Sequence, residues 1–163
     1  MATKTLEDLF HDTLKDVYYA EQQILKKLPE LAEAASSKEL RAAFEHHFQE
    51  TEGQVARLEQ VFALLGTTPQ TKRCDGIRGI LTEGDTMLKE FKDTPALDAA
   101  LISSAQAVEH YEITRYGTLR RWAQMLGLPE AAELLNATLD EESNTDDLLT
   151  QIADAQANVQ ANQ

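Results

Sequence analysis

The chain is short of the residues that interrupt helices or staple a fold. Its 163 residues include seven Gly, four Pro and one Cys. A single cysteine, Cys74, excludes an intrachain disulfide. So few Gly and Pro, mostly in punctuating positions, leave room for long helices. Positive charge is also scarce: 15 Lys and Arg stand against 28 Asp and Glu, a net charge of −13. That balance argues against nucleic acid or an anionic membrane as partner. No apolar run approaches the ~18 residues of a membrane span. The opening segment MATKTLEDLF has neither the basic start nor the apolar stretch of a signal peptide. These absences predict a soluble cytoplasmic protein. A Gly-rich phosphate loop, a CxxC pair and an HExxH motif are all missing, which removes the commonest sequence signals for nucleotide, thiol-redox and zinc-protease chemistry.

What remains is helical periodicity. Leu6, Phe10, Leu14, Val17, Ile24, Leu25, Leu28 and Leu31 recur at steps of three and four, the spacing of one helix face. Thr3 or Thr5 is placed to cap this helix, and Pro29 is expected to kink its end or start a shorter continuation. Ser36 and Ser37 mark a turn. A second helix is predicted over residues 38–65, with Gly53 small enough to admit a close neighbour. After a polar loop at 67–73, residues 74–91 predict a short helix packed across the outside. Lys92-Asp93-Thr94-Pro95 reads as a helix start, with Asp93 or Thr94 as cap. A third long helix is predicted over 95–126, and a fourth begins at Pro129. The Gln- and Asn-rich tail from Ala155 is expected to fray. Residues 1–157 are thus expected to form one domain and 158–163 a loose polar tail. Two helical hairpins joined by one long connection define an all-α, ferritin-like four-helix bundle whose crossover carries an additional short helix.

Four glutamates lie on or beside the apolar stripes. Glu21 stands 15 residues before Ser36 and Glu50 14 after it; Glu112 stands 15 before Gly127 and Glu142 15 after it. At the helical rise, each carboxyl lies about 22 Å from its turn. Taken singly, each is an ordinary exposed glutamate. At one common depth, one per helix, they are what a dinuclear metal site needs. Glu109 precedes Glu112 by one turn on the same face. Gln54 follows Glu50 and Asp146 follows Glu142 at the same interval. His47 stands three residues before Glu50. Oxygen ligands of this kind, with room for one nitrogen, suit iron, manganese or magnesium, and two divalent ions would offset four buried carboxylates. His46, His47 and His110 read as exposed or seam-edge residues rather than ligands, and His11 as a surface residue. Tyr111 or Tyr116 is near enough to hydrogen-bond a carboxylate. Cys74 reads as a packing residue. In the rival reading, a structural or interaction protein has a metal-free polar core in which Arg115 neutralises Glu112.

The segments DLFHDTLKDVYYAEQQILKKLPEL, HFQETEGQVARLEQVF, KRCDGIRGILTEG, AVEHYEITRYGTL and LDEESNTDDLL resemble the YciE/YciF family. These are bacterial stress-associated ferritin-like proteins grouped as a domain of unknown function. The resemblance spans nearly the whole chain. It implies a homodimer, a di-metal site in the bundle core, and a role in stress defence, on peroxide or dioxygen or by sequestering iron. Carried onto this sequence, the site carboxylates are Glu21, Glu50, Glu109, Glu112 and Glu142, with Gln54 and Asp146 as neighbours. The chain departs from the broader di-iron pattern of Glu-x-x-His on two helices: Gly53 and Thr145 stand three residues after Glu50 and Glu142.

Overall fold

The computed structural model describes residues 3–163. Met1 and Ala2, the first residues of the predicted domain and of the MATKTLEDLF segment, lie outside the described residues. The described residues form helices and no strand. Helix α1 (Leu6–Ala34) opens on Thr5 in a capping box: the Asp8 N–H donates to the Thr5 hydroxyl while the Thr5 N–H donates to the Asp8 carboxylate. α2 (Lys38–Leu64) opens on Ser37, whose hydroxyl accepts the Leu40 N–H at 3.0 Å. α3 is Asp75–Phe91, α4 Leu97–Met125 and α5 Pro129–Ile152. Gly66 and Gly127 have φ of 68° and 72°, the left-handed conformation that closes a helix C-terminus without a Cβ penalty.

Contacts between side chains fix the directions. Gln54 of α2 meets Glu142 of α5, and Arg57, one turn on, meets Thr138, one turn back. α2 and α5 are therefore antiparallel. Because both hairpin turns are short, α2 and α4 run parallel, as a bundle with one long crossover requires. α3 lies across α4, where its Gly84 lets the backbone approach Ser104. At the turn end of the first hairpin, Asp98 of α4 is buried and accepts the Ser36 and Ser37 N–H groups at 2.7 and 2.8 Å. That clamp ties the α1–α2 turn to the start of the second hairpin. Among the described residues, no helix is long and apolar enough to cross a membrane.

Several details differ from the sequence expectations. α1 runs through Pro29 as one element, so the proline starts no separate continuation. α4 starts at Leu97, without a side-chain cap. Asp93 instead adopts φ 60°, and the Thr94 hydroxyl donates to the Phe91 carbonyl at 2.7 Å, so this segment closes α3 rather than opening α4. Gly53 has no atom within 4 Å of where a Cβ would stand, so it admits no close neighbour. The tail remains helical: a π-helical turn, Ala153–Ala157, leads into α6 (Asn158–Ala161). Ala153 and Ala157 are buried in the core, which holds the segment down.

The core falls into two apolar compartments. One, at the Asp98 end, is built around Ile24, Leu28, Phe44, Leu101 and Leu149. The other is built around Phe10, Leu14, Phe62, Leu119 and Leu135. Between them lies a slab of buried polar side chains.

Candidate metal centre

Each bundle helix contributes to the slab through one face. Glu21 continues the α1 stripe between Val17 and Ile24; His47, Thr51 and Gln54 continue that of α2; Glu109 and Glu112 lie one turn apart on α4; Glu142 and Thr145 do the same on α5. Glu21, Glu112 and Glu142 are 0 % exposed and Glu109 1 %. Ligand atoms of His47, Glu109, Glu112 and Glu142 lie within 4.8 Å of one another. The slab reads as a continuous row. The Tyr116 hydroxyl donates to Glu21. Glu21 adjoins Glu112, which adjoins Glu142, which adjoins Glu109. His47 Nε2 lies 3.1 Å from Glu109, and its Nδ1 3.7 Å from Glu50. The Gln54 amide donates to Glu142 and, at 3.0 Å, to Glu141.

Electrostatically this row is in deficit of positive charge. Four fully buried carboxyls face one imidazole. Burial pushes the Glu21 carboxyl up to about 8, with the Glu142 charge adding to it. Burial and neighbouring carboxylates hold Glu112 and Glu142 well above the ordinary range. Burial pulls His47 down, but Glu109 and Glu50 outweigh it and hold the imidazole well above its usual value. The His47 contact draws the half-exposed Glu50 down. Each buried ion costs several kcal/mol unless paired and hydrogen-bonded. Both oxygens of Glu112, and one oxygen each of Glu21, Glu109 and Glu142, are buried without a hydrogen-bond partner. Converging unpaired oxygens with an imidazole among them form a donor set that fits a divalent cation.

Residues 5–162 match a family described as a domain of unknown function, DUF892. The chain belongs to this family. It is 42 % identical to the protein YciF of Escherichia coli (strain K12) over 154 residues, covering 94 % of this chain and 93 % of that one. Among solved structures, that of the E. coli stress protein YciF matches with a TM-score of 0.90 at 40 % identity, covering 99 % of each chain. YcfI of Rhodopseudomonas palustris matches with a TM-score of 0.88 at 44 % identity, covering 90 % of this chain and 94 % of that one. The protein XCC3681 of Xanthomonas campestris shares the fold, with a TM-score of 0.71 at 23 % identity, over 92 % of this chain and 90 % of that one.

In this DUF892 chain the predicted site residues separate into three groups. Glu109, Glu112 and Glu142 come together, with Glu21 adjoining Glu112 and Gln54 donating to Glu142. Glu50 sits at the slab's edge, 20 % exposed at its side chain, held by the Thr145 hydroxyl at 3.2 Å. Asp146 turns outward: it pairs with the exposed His110 at 3.1 Å and accepts the Gln106 amide at 3.1 Å. On α5 the step from 142 to 146 overshoots the inner face, which Glu142 and Thr145 occupy. His47 corrects the opposite error: it is 3 % exposed and belongs to the converging set. The available signal was His47–Glu50, a His-x-x-Glu that presents an imidazole from the turn before the glutamate rather than after it. Arg115 is exposed over the Tyr111 ring at 5.3 Å, so it does not neutralise Glu112. Tyr111 bonds Cys74 instead, at 2.8 Å, and Cys74 is buried in a packing role.

Proposed function

We propose that the protein is a ferritin-like stress-response protein whose bundle core holds a dinuclear centre of divalent ions, iron or manganese. The observation that carries this reading is the convergence of His47, Glu109, Glu112 and Glu142 with buried oxygens that lack any donor. Those four residues, with Glu21 beside them, would hold the ions. Gln54 orients Glu142 and the Tyr116 hydroxyl orients Glu21. The apolar compartments on either side exclude water, which strengthens every charge interaction inside. Iron or manganese bound there would supply redox chemistry toward peroxide or dioxygen, or act as stored cargo. A homodimer in a reducing cytoplasm belongs to the same reading, carried by the family resemblance and checked by light scattering. The test is elemental analysis after anaerobic reconstitution with Fe(II) or Mn(II). Two ions per chain are expected; a single ion overturns the dinuclear centre, and an empty protein overturns the reading.

A second reading has its own support. Tyr116 and Gln54 already donate to the carboxyls, and the raised Glu21, Glu112 and Glu142 favour retained protons. The slab would then be a metal-free polar core of a structural or interaction protein. Thermal stabilisation by added ions, expected only for a metal centre, separates the two.

A further inference from the structure

The converging carboxyls are sealed from solvent, so an ion must reach them past some other group. Three approaches border the slab. The first runs through Gln54 to the half-exposed Glu141, but the Arg57 guanidinium caps that carboxylate with contacts of 2.8 and 2.6 Å. Paired with Arg57, that carboxylate is neutralised and does not draw a cation. The second is a cavity of about 20 Å³ beside His47 and Glu109, walled by Ile24, Phe44, Leu81 and Val108 with Lys27 on its lining. So small a space with mostly apolar walls does not draw a hydrated ion, and its Lys27 is already paired with Glu30 and Asp85. The third is different in kind. His46, 64 % exposed at its side chain, places Nε2 3.1 Å from Glu50. Glu50 is fixed from behind by Thr145, and on its inner side it meets Nδ1 of His47. His47 is almost wholly buried, and its other nitrogen faces Glu109. Three side chains thus offer ligand atoms in a row that begins at the surface and ends on a residue of the buried set.

We infer that His46 and Glu50 form an outer docking site for a divalent cation, which loads the buried centre past His47. The inference rests on the proposed metal centre and assigns His46 and Glu50 to uptake rather than to final coordination. The His–Glu pair, one helical turn apart, replaces part of the ion's water shell at the surface. Among the described residues no Lys or Arg lies within ion-pair distance of Glu50, whose carboxylate meets only His46 and His47 and so attracts cations.

The test is the rate of Co(II) uptake, followed by absorbance after rapid mixing, together with the Co(II) bound per chain at saturation. Glu50→Gln and His46→Gln are expected to slow loading by about tenfold or more, with the saturating amount equal to that of the wild type. Glu141→Gln is expected to load at the wild-type rate. Wild-type loading rates in both His46→Gln and Glu50→Gln overturn the docking site while leaving the centre intact. Loss of bound Co(II) at saturation in Glu50→Gln also overturns it, by making Glu50 a ligand of the centre. Failure of the wild type to take up Co(II) at all overturns the centre, and the docking site with it.

Discussion

The two hairpins bring unequal chemistry to the slab they share. The first, α1 and α2, offers one fully buried carboxyl, an imidazole and an amide: Glu21, His47 and Gln54. The second, α4 and α5, offers three carboxyls, Glu109, Glu112 and Glu142, and the Tyr116 hydroxyl. The polar pairings of the slab run across from one hairpin to the other. His47 reaches Glu109, Gln54 reaches Glu142, Tyr116 reaches Glu21 and Thr145 reaches Glu50. The first hairpin keeps two buried acceptors without a partner, one oxygen of Glu21 and the amide oxygen of Gln54. The larger surplus falls on the second, with one oxygen each of Glu109 and Glu142 and both oxygens of Glu112. An apolar core needs only shape to join two hairpins. This one also needs charge balance, and its deficit lies where α4 and α5 face the other pair.

The largest effect should come from removing that surplus. The double variant Glu112→Leu with Glu142→Leu is expected to abolish stabilisation by Fe(II) or Mn(II) in thermal melts. The same variant should stabilise the metal-free protein by about 1–4 kcal/mol, as apolar replacement of buried charges often does. A double variant that still gains stability on adding metal would break the comparison. The next effect is on pH. Raised carboxyls contribute stability that is fully present below their ordinary value of 4.5 and lost as pH rises toward the folded value, about 8 for Glu21. His47, also raised, has the same sign. Chelated protein should therefore melt lower near pH 8 than near pH 5, and a bound divalent ion should narrow or reverse the difference. A flat profile without metal would mean that the second hairpin's carboxyls are not in deficit.

Away from the slab the effects shrink. Asp98→Ala removes a buried charged acceptor for the Ser36 and Ser37 N–H groups and should cost about 1–3 kcal/mol in urea unfolding, with metal stoichiometry unchanged. Loss of metal in that variant would show that hairpin register, rather than ligand chemistry, sets the site. Smallest of all, Asp146→Asn should shift neither stability nor metal uptake by more than about 0.5 kcal/mol, because its partners are at the surface.

The helical frame was legible because it rests on local signals: three-and-four spacing, Ser and Thr caps, and Gly66 and Gly127 at helix ends. The common depth of Glu21, Glu112 and Glu142 was legible for the same reason, since depth is a count of residues from a turn. Rotation about the helix axis was less legible. Glu50 and Asp146 lie at the right level, yet Glu50 is turned to the edge and Asp146 toward His110 and Gln106. His47 was passed over because a lone histidine on an apolar stripe is an ordinary seam residue until a carboxylate from another hairpin faces it. That contact, between α2 and α4, is long-range and has no local signature. The closing turn at Asp93 and Thr94 misled for a related reason: residues that favour a helix start also serve a helix stop.

Anomalous diffraction from crystals loaded with Mn(II) tests the central claim most directly. The account predicts a strong peak in the slab, within coordination distance of His47, Glu109, Glu112 and Glu142. Loaded crystals with no peak there, or with ions only at surface carboxylates such as Asp75, would contradict it.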